Sequence, residues 1–148
     1  MIFGDPFQFA VQCDLVKEWN DDYFWVNGIY SIFINGQLLN KEIYVTELKF
    51  TLANIESNVL DSIKRVKTKK NIKEEDITSI FIDDFSMSLS SQDMEDEKIY
   101  IYCFFTEFND CVYIDNKCCK SVHYYPLGYI INILKDILRW KNSLNINW

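Results

Sequence analysis

Histidine is almost missing from this chain: only His123 is present. A zinc shell of the usual Cys and His type therefore has one imidazole at most, and the sequence predicts no metal site. Two prolines and four glycines leave little material for long linkers or a disordered tail. No apolar run reaches the roughly 20 residues that a bilayer span requires; the nearest, from Leu127 to Leu138, is broken by Asn132, Lys135 and Asp136. No basic head, apolar core or small-residue cleavage site marks a leader. The expectation is a cytoplasmic protein with its five cysteines reduced. Cys13 and Cys103 sit in strand-like apolar runs and read as core side chains, whereas Cys118 and Cys119 are adjacent rather than spaced as C-x-x-C.

Catalytic signatures are also lacking. The chain has no G-x-G-x-x-G, Walker loop, G-x-S-x-G or H-E-x-x-H, so no cofactor and no catalytic residue is assigned. Cys119 with His123 is the one pairing that would suit a thiolate and a base. That alternative makes the chain a small thiol-dependent enzyme. The simpler reading of His123 is a hydrogen-bonded side chain at a strand end. Asp83 and Asp84 are neighbours, and on a strand they face opposite ways, which weakens them as a metal pair.

What the chain does have is apolar and acidic mass. In 148 residues, 49% are hydrophobic and 16% aromatic, enough to fill one core, and the net charge is −7. A single domain over 1–148 is expected. The charge disfavours nucleic acid as a direct partner and suits either a basic protein partner or plain solubility. It is also segregated. Residues 64–70 carry five basic groups, and residues 73–97 carry nine acids against one lysine. Asp83, Asp84, Asp93, Glu95, Asp96 and Glu97 form the candidate binding patch.

Periodicity gives the architecture. Phe7, Phe9, Val11, Cys13 and Leu15 alternate with polar positions, as a half-buried strand does. Strands are expected near 7–16, 23–27, 29–35 and 37–45, with tight turns at Asn27-Gly28 and Asn35-Gly36. Leu48, Leu52, Ile55, Val59, Ile63 and Val66 then mark a helix face. Ile77, Ile80 and Phe81 suit a short helix after Glu74-Glu75-Asp76, Ser79 to Ser90 equally suits a strand, and 90–97 reads as a polar loop. A buried strand is predicted from Ile99 to Phe105 and a hairpin from Cys111 to Tyr124. A last helix is expected to open at Pro126. Phe24 and Trp25 are expected in the core, with an interface anchor as the alternative reading. The fold class is α+β: a mainly antiparallel sheet covered by the middle and C-terminal helices.

The opening Met1-Ile2-Phe3-Gly4-Asp5-Pro6-Phe7-x-Phe9-Ala10, followed by Phe24-Trp25-x-Asn27-Gly28 and Phe33-Ile34-Asn35-Gly36, resembles the immunity protein 42 family. Such proteins are encoded beside polymorphic and contact-dependent-inhibition toxins in bacteria. The resemblance implies a cytoplasmic α+β protein that binds and neutralises one cognate toxin domain. Nuclease toxins with basic grooves would suit an acidic inhibitor. The rival to this reading, besides the thiol enzyme, is an adaptor protein without a toxin partner.

Overall fold

The computed structural model describes residues 1–40, 45–60, 65–66, 86–146 and 148. Among the described residues, two five-stranded sheets, mainly antiparallel, share one apolar core with two long helices. The first sheet runs β1 (Ile2–Asp5), β2 (Phe9–Leu15), β3 (Asn27–Ile34), β4 (Gln37–Leu38), with β5 (Val45–Glu47) on the opposite end of β3 from β4. The second runs β10 (Lys120–Tyr125), β9 (Asp110–Asn116), β8 (Ile99–Thr106), β6 (Arg65–Val66), with β7 (Ser86–Ser88) also on β8. The α+β expectation is met, but its strands divide between two sheets.

Local chemistry explains several elements. Pro6 sits in the turn between β1 and β2, closed by the Gln8 N–H on the Asp5 carbonyl at 2.9 Å. The alternation in β2 buries Phe9, Val11 and Cys13. Asn35-Gly36 makes the predicted hairpin turn with φ of +52° and +77°, the two positive values that a type I′ turn needs. Asn27-Gly28 does not turn. Both residues lie inside β3, where Gly28 pairs with Leu15 on one side and Thr46 on the other. A Cβ at Gly28 would strike the Asp14 carbonyl and the Leu48 side chain, so this glycine permits close approach rather than a turn. The strand expected at 23–27 is consequently absent, and 21–25 form a bent loop.

The middle helix α1 (Leu48–Leu60) buries Leu48, Leu52 and Ile55. The helical stripe extrapolated to Val66 overruns: Arg65 and Val66 are β6, parallel to Phe105 and Thr106 of β8. Residues 90–97, read as loop, contain the short helix α2 (Gln92–Asp96), started by Ser91, whose side chain accepts the Met94 N–H. Met94 is fully buried and anchors it. Of the 79–90 segment, 86–88 are strand; the residues before 86 lie outside the described set.

The last helix, α3 (Tyr129–Ser143), starts three residues after Pro126. Gly128 offers no side-chain cap, and Asp110 of β9 supplies one instead, accepting the Ile130 N–H at 3.0 Å. Ile130, Ile133, Leu134 and Ile137 face the core, and α3 lies across β1, β2 and β9 beside α1. Tyr30, fully buried on β3, donates its hydroxyl to the Leu89 carbonyl at 2.8 Å and ties the two sheets together.

Candidate functional site

The proposed acidic patch is only partly visible. Asp83 and Asp84 lie outside the described residues, as do Lys64 and the lysines at 67, 69 and 70. Asp93, Glu95 and Asp96 sit on α2, with Glu97 as its C-terminal cap. One five-residue helix and its cap therefore gather four of the six carboxylates. They are not equivalent. Asp96 accepts a hydrogen bond from Gln92 at 3.2 Å, and Glu97 lies 4.0 Å from Lys117. Asp93 turns the other way: its Oδ2 accepts from the Thr46 hydroxyl at 2.9 Å.

That contact leads to a feature which composition did not disclose. Phe24 and Trp25, expected in the core, are 70% and 63% exposed. Their rings meet edge to face, with centroids 5.4 Å apart. Phe50, at the start of α1, is 68% exposed, and Val45 is 57% exposed. Trp25, Val45 and Phe50 form the apolar sides of an open groove of about 470 Å³, with Thr46 and Asp93 also in its lining. Isolated exposed apolar residues are ordinary, but large ones gathered at a groove mark interaction surfaces.

The groove is held by two polar side chains. Asn20, nearly buried, closes the base of the loop. Its Nδ2 donates to the Val16 and Asn27 carbonyls at 2.7 and 2.8 Å, and its Oδ1 accepts the Asn27 N–H at 2.7 Å. Glu47 works from the other side. Its Oε1 accepts the N–H groups of Val26 and Lys49 at 3.2 and 3.1 Å, and its Oε2 accepts that of Phe50 at 2.6 Å. A carboxylate here satisfies the unpaired donors of the first helical turn and favours the helix dipole. The same side chain fixes the residue that follows Trp25. The sequence signal available for this surface was Glu47 immediately before the helical stripe, with the Phe24-Trp25 pair flanked by Asp21-Asp22.

Cys119 and His123, the pair of the thiol–imidazole alternative, each have other partners among the described residues. The Cys119 thiol points to Asn116 Oδ1 at 3.5 Å. His123 has its Nε2 3.0 Å from the Ser121 hydroxyl and its Nδ1 3.5 Å from the Asn35 amide. Cys13, Cys103 and Cys111 are buried. Burial pushes the Cys13 and Cys111 thiols up to about 12 and raises Cys103 further, which suppresses thiolate chemistry. Among the described residues, no three His, Cys, Asp or Glu side chains group to hold a metal ion, and no helix is long and apolar enough to cross a membrane.

No curated protein and no solved structure matches this chain. A family model does: the one described as Immunity protein 42 matches residues 1–140 of the 148. The match extends well past the N-terminal motifs and spans both sheets, the aromatic loop, α2 and most of α3. The chain belongs to the immunity protein 42 family.

Proposed function

We propose that this protein, acting as one domain in the cytoplasm, binds a single cognate bacterial toxin domain. It blocks that domain stoichiometrically by covering its working surface and catalyses no reaction. Membership of an immunity-protein family is the observation that carries this reading. The charge supports a basic partner: the net charge is −7, and α2 with its cap presents four carboxylates within five residues. A toxin with a positively charged substrate groove, as a nuclease has, is the partner class that such a surface steers and occludes. The patch proposed for this is Asp83, Asp84, Asp93, Glu95, Asp96 and Glu97.

The test is growth of bacteria that express the toxin domain expected from the gene immediately upstream, with and without this chain. The wild-type chain restores growth. Reversal to lysine of Glu95, Asp96 and Glu97 together weakens binding of the purified toxin domain and flattens its dependence on salt, because screening acts on exposed charges. Unrestored growth with the wild-type chain would end this reading. Unchanged affinity after the triple reversal would remove the acidic patch from it.

A further inference from the structure

We propose that the groove between Trp25, Val45 and Phe50 receives an arginine or lysine side chain of the toxin domain, carried on an apolar segment, with Asp93 as its counter-charge. This rests on the toxin-neutralising reading above and adds to it the place and chemistry of the contact.

The groove combines the two surfaces that such a side chain needs. Trp25 and Phe50 offer aromatic faces and Val45 an aliphatic wall, all exposed. These are surfaces for a methylene stem and for a cation within about 6 Å of a ring centroid. Among the described residues, the charged side chains in the lining are Glu47 and Asp93, both acids, with no lysine or arginine. The two carboxylates differ in what they have left to give. Both Glu47 oxygens accept backbone N–H groups. Asp93 uses Oδ2 for Thr46, and its Oδ1 accepts no hydrogen bond among the described residues. The Thr46 contact, from a residue itself buried, fixes the direction of the remaining oxygen.

Other occupants fit less well. A wholly apolar segment would cover Asp93 without pairing it, which costs free energy. An acidic segment or a nucleic acid would meet two carboxylates. A second copy related by a two-fold axis sets a patch against itself, so Asp93 and Glu47 of each copy would confront acids. A basic side chain on an apolar stretch satisfies the rings and the carboxylate together. The surface is also set before binding. Asn20 and Glu47 hold both ends of the loop, which lowers the ordering cost that association carries. Aromatic anchors paired with a desolvated arginine are the usual energetic centre of a protein interface.

The experiment is titration calorimetry of the full chain against the C-terminal domain of the toxin expected from the gene immediately upstream, in an inactivated form. Parent, Trp25→Ala, Phe50→Ala and Asp93→Asn are compared, with Glu107→Gln as an exposed acidic control at the β8–β9 turn. Trp25→Ala, Phe50→Ala and Asp93→Asn are each expected to weaken binding at least tenfold, while Glu107→Gln stays within twofold. Asp93→Asn should also make the affinity less salt-dependent than that of the parent; Trp25→Ala should not. The two aromatic side chains are exposed, so thermal unfolding of those variants should match the parent and separate lost contact from lost fold. If the parent binds and the three variants follow it within twofold, the groove assignment is overturned and the toxin-neutralising reading stands. If the parent neither binds nor restores growth, both fall. Sedimentation of the toxin-free chain provides a further arm: a dimer that Trp25→Ala converts to monomer would give the groove to a second copy and overturn the proposal.

Discussion

Asp110 reaches from β9 to the first turn of α3, where its Oδ2 accepts the Ile130 N–H at 3.0 Å. Its other oxygen lies 3.3 Å from both terminal nitrogens of Arg65, on the parallel strand β6. One fully buried carboxylate thus joins the short strand, the central sheet and the last helix. The Arg65 cation also lies over the Phe105 ring, 5.9 Å from its centroid. Asp110→Ala would leave the helix N–H groups without this acceptor and take the carboxylate from a guanidinium that still donates to the Thr106 carbonyl at 2.7 Å. Removing one partner of a buried pair costs about 3–5 kcal/mol. Because Arg65 keeps access to water, the low end, about 3 kcal/mol, is expected in urea unfolding at neutral pH. A loss below about 1 kcal/mol, the scale of an ordinary hydrogen bond, would show that the network contributes little.

Thiol labelling should divide the five cysteines. Cys118 and Cys119 lie exposed in the β9–β10 turn, and Cys13, Cys103 and Cys111 are buried. A maleimide reagent at neutral pH is expected to modify two thiols per native chain and all five in denaturant, counted by mass spectrometry. A third fast-reacting thiol in native protein would contradict the packing of β2, β8 or β9.

Alkali should destabilise the fold by a definite route. The ordinary thiol value is 9.0; in the fold Cys13 and Cys111 are pushed up to about 12, chiefly by burial. Burial also raises Tyr30 and Tyr125. Between pH 9 and 12 the unfolded chain therefore releases protons that the native chain retains. Stability from this source is full below about pH 9 and is lost as pH rises toward 12. Urea midpoints measured between pH 8 and 11 should fall steadily on the alkaline side. Cys13→Ser or Cys111→Ser tests the assignment, since removing one raised thiol should flatten that slope. A midpoint independent of pH up to 11 would contradict it.

Asn20→Ala should affect both stability and binding. It removes three hydrogen bonds at the base of the aromatic loop, each worth about 0.5–1.5 kcal/mol net. A loss of about 2 kcal/mol in urea unfolding is expected, together with weaker toxin binding as Trp25 loses its fixed position. Hydrogen exchange should quicken at the Asn27 amide and leave Cys103 in β8 protected. Unchanged exchange at Asn27 would show that the loop has another support.

The regular elements were legible because each carries its own period. β2 alternates, Ile99 to Phe105 is continuous and apolar, and α3 repeats every three or four residues. The first sheet's hairpin was legible at Asn35-Gly36 for the same local reason. The identical dipeptide at Asn27-Gly28 misled, because its glycine answers to Leu48 and Asp14 across the fold rather than to a turn. Arg65 was misplaced in a helix because the group that draws it into β6 lies 45 residues further on, at Asp110. Phe24 and Trp25 were misassigned to the core because apolarity alone does not say whether a side chain is buried. Of the acidic candidates, clustering of Asp93 to Glu97 was readable from charge. The short helix under them depended on Ser91 and buried Met94, which a polar composition concealed.

Because Asn20 and Glu47 clamp only the two ends of the loop, the stretch 21–25 between them contributes exposed side chains and little to the core; Tyr23 alone packs partly against it. If the groove is the toxin contact, recognition and foldability lie in different residues. On that reading, a chain of this build would change adversary by exchanging a few side chains at the rim, at positions 21, 22, 24, 25 and 50, while both sheets and their shared interior stay as they are.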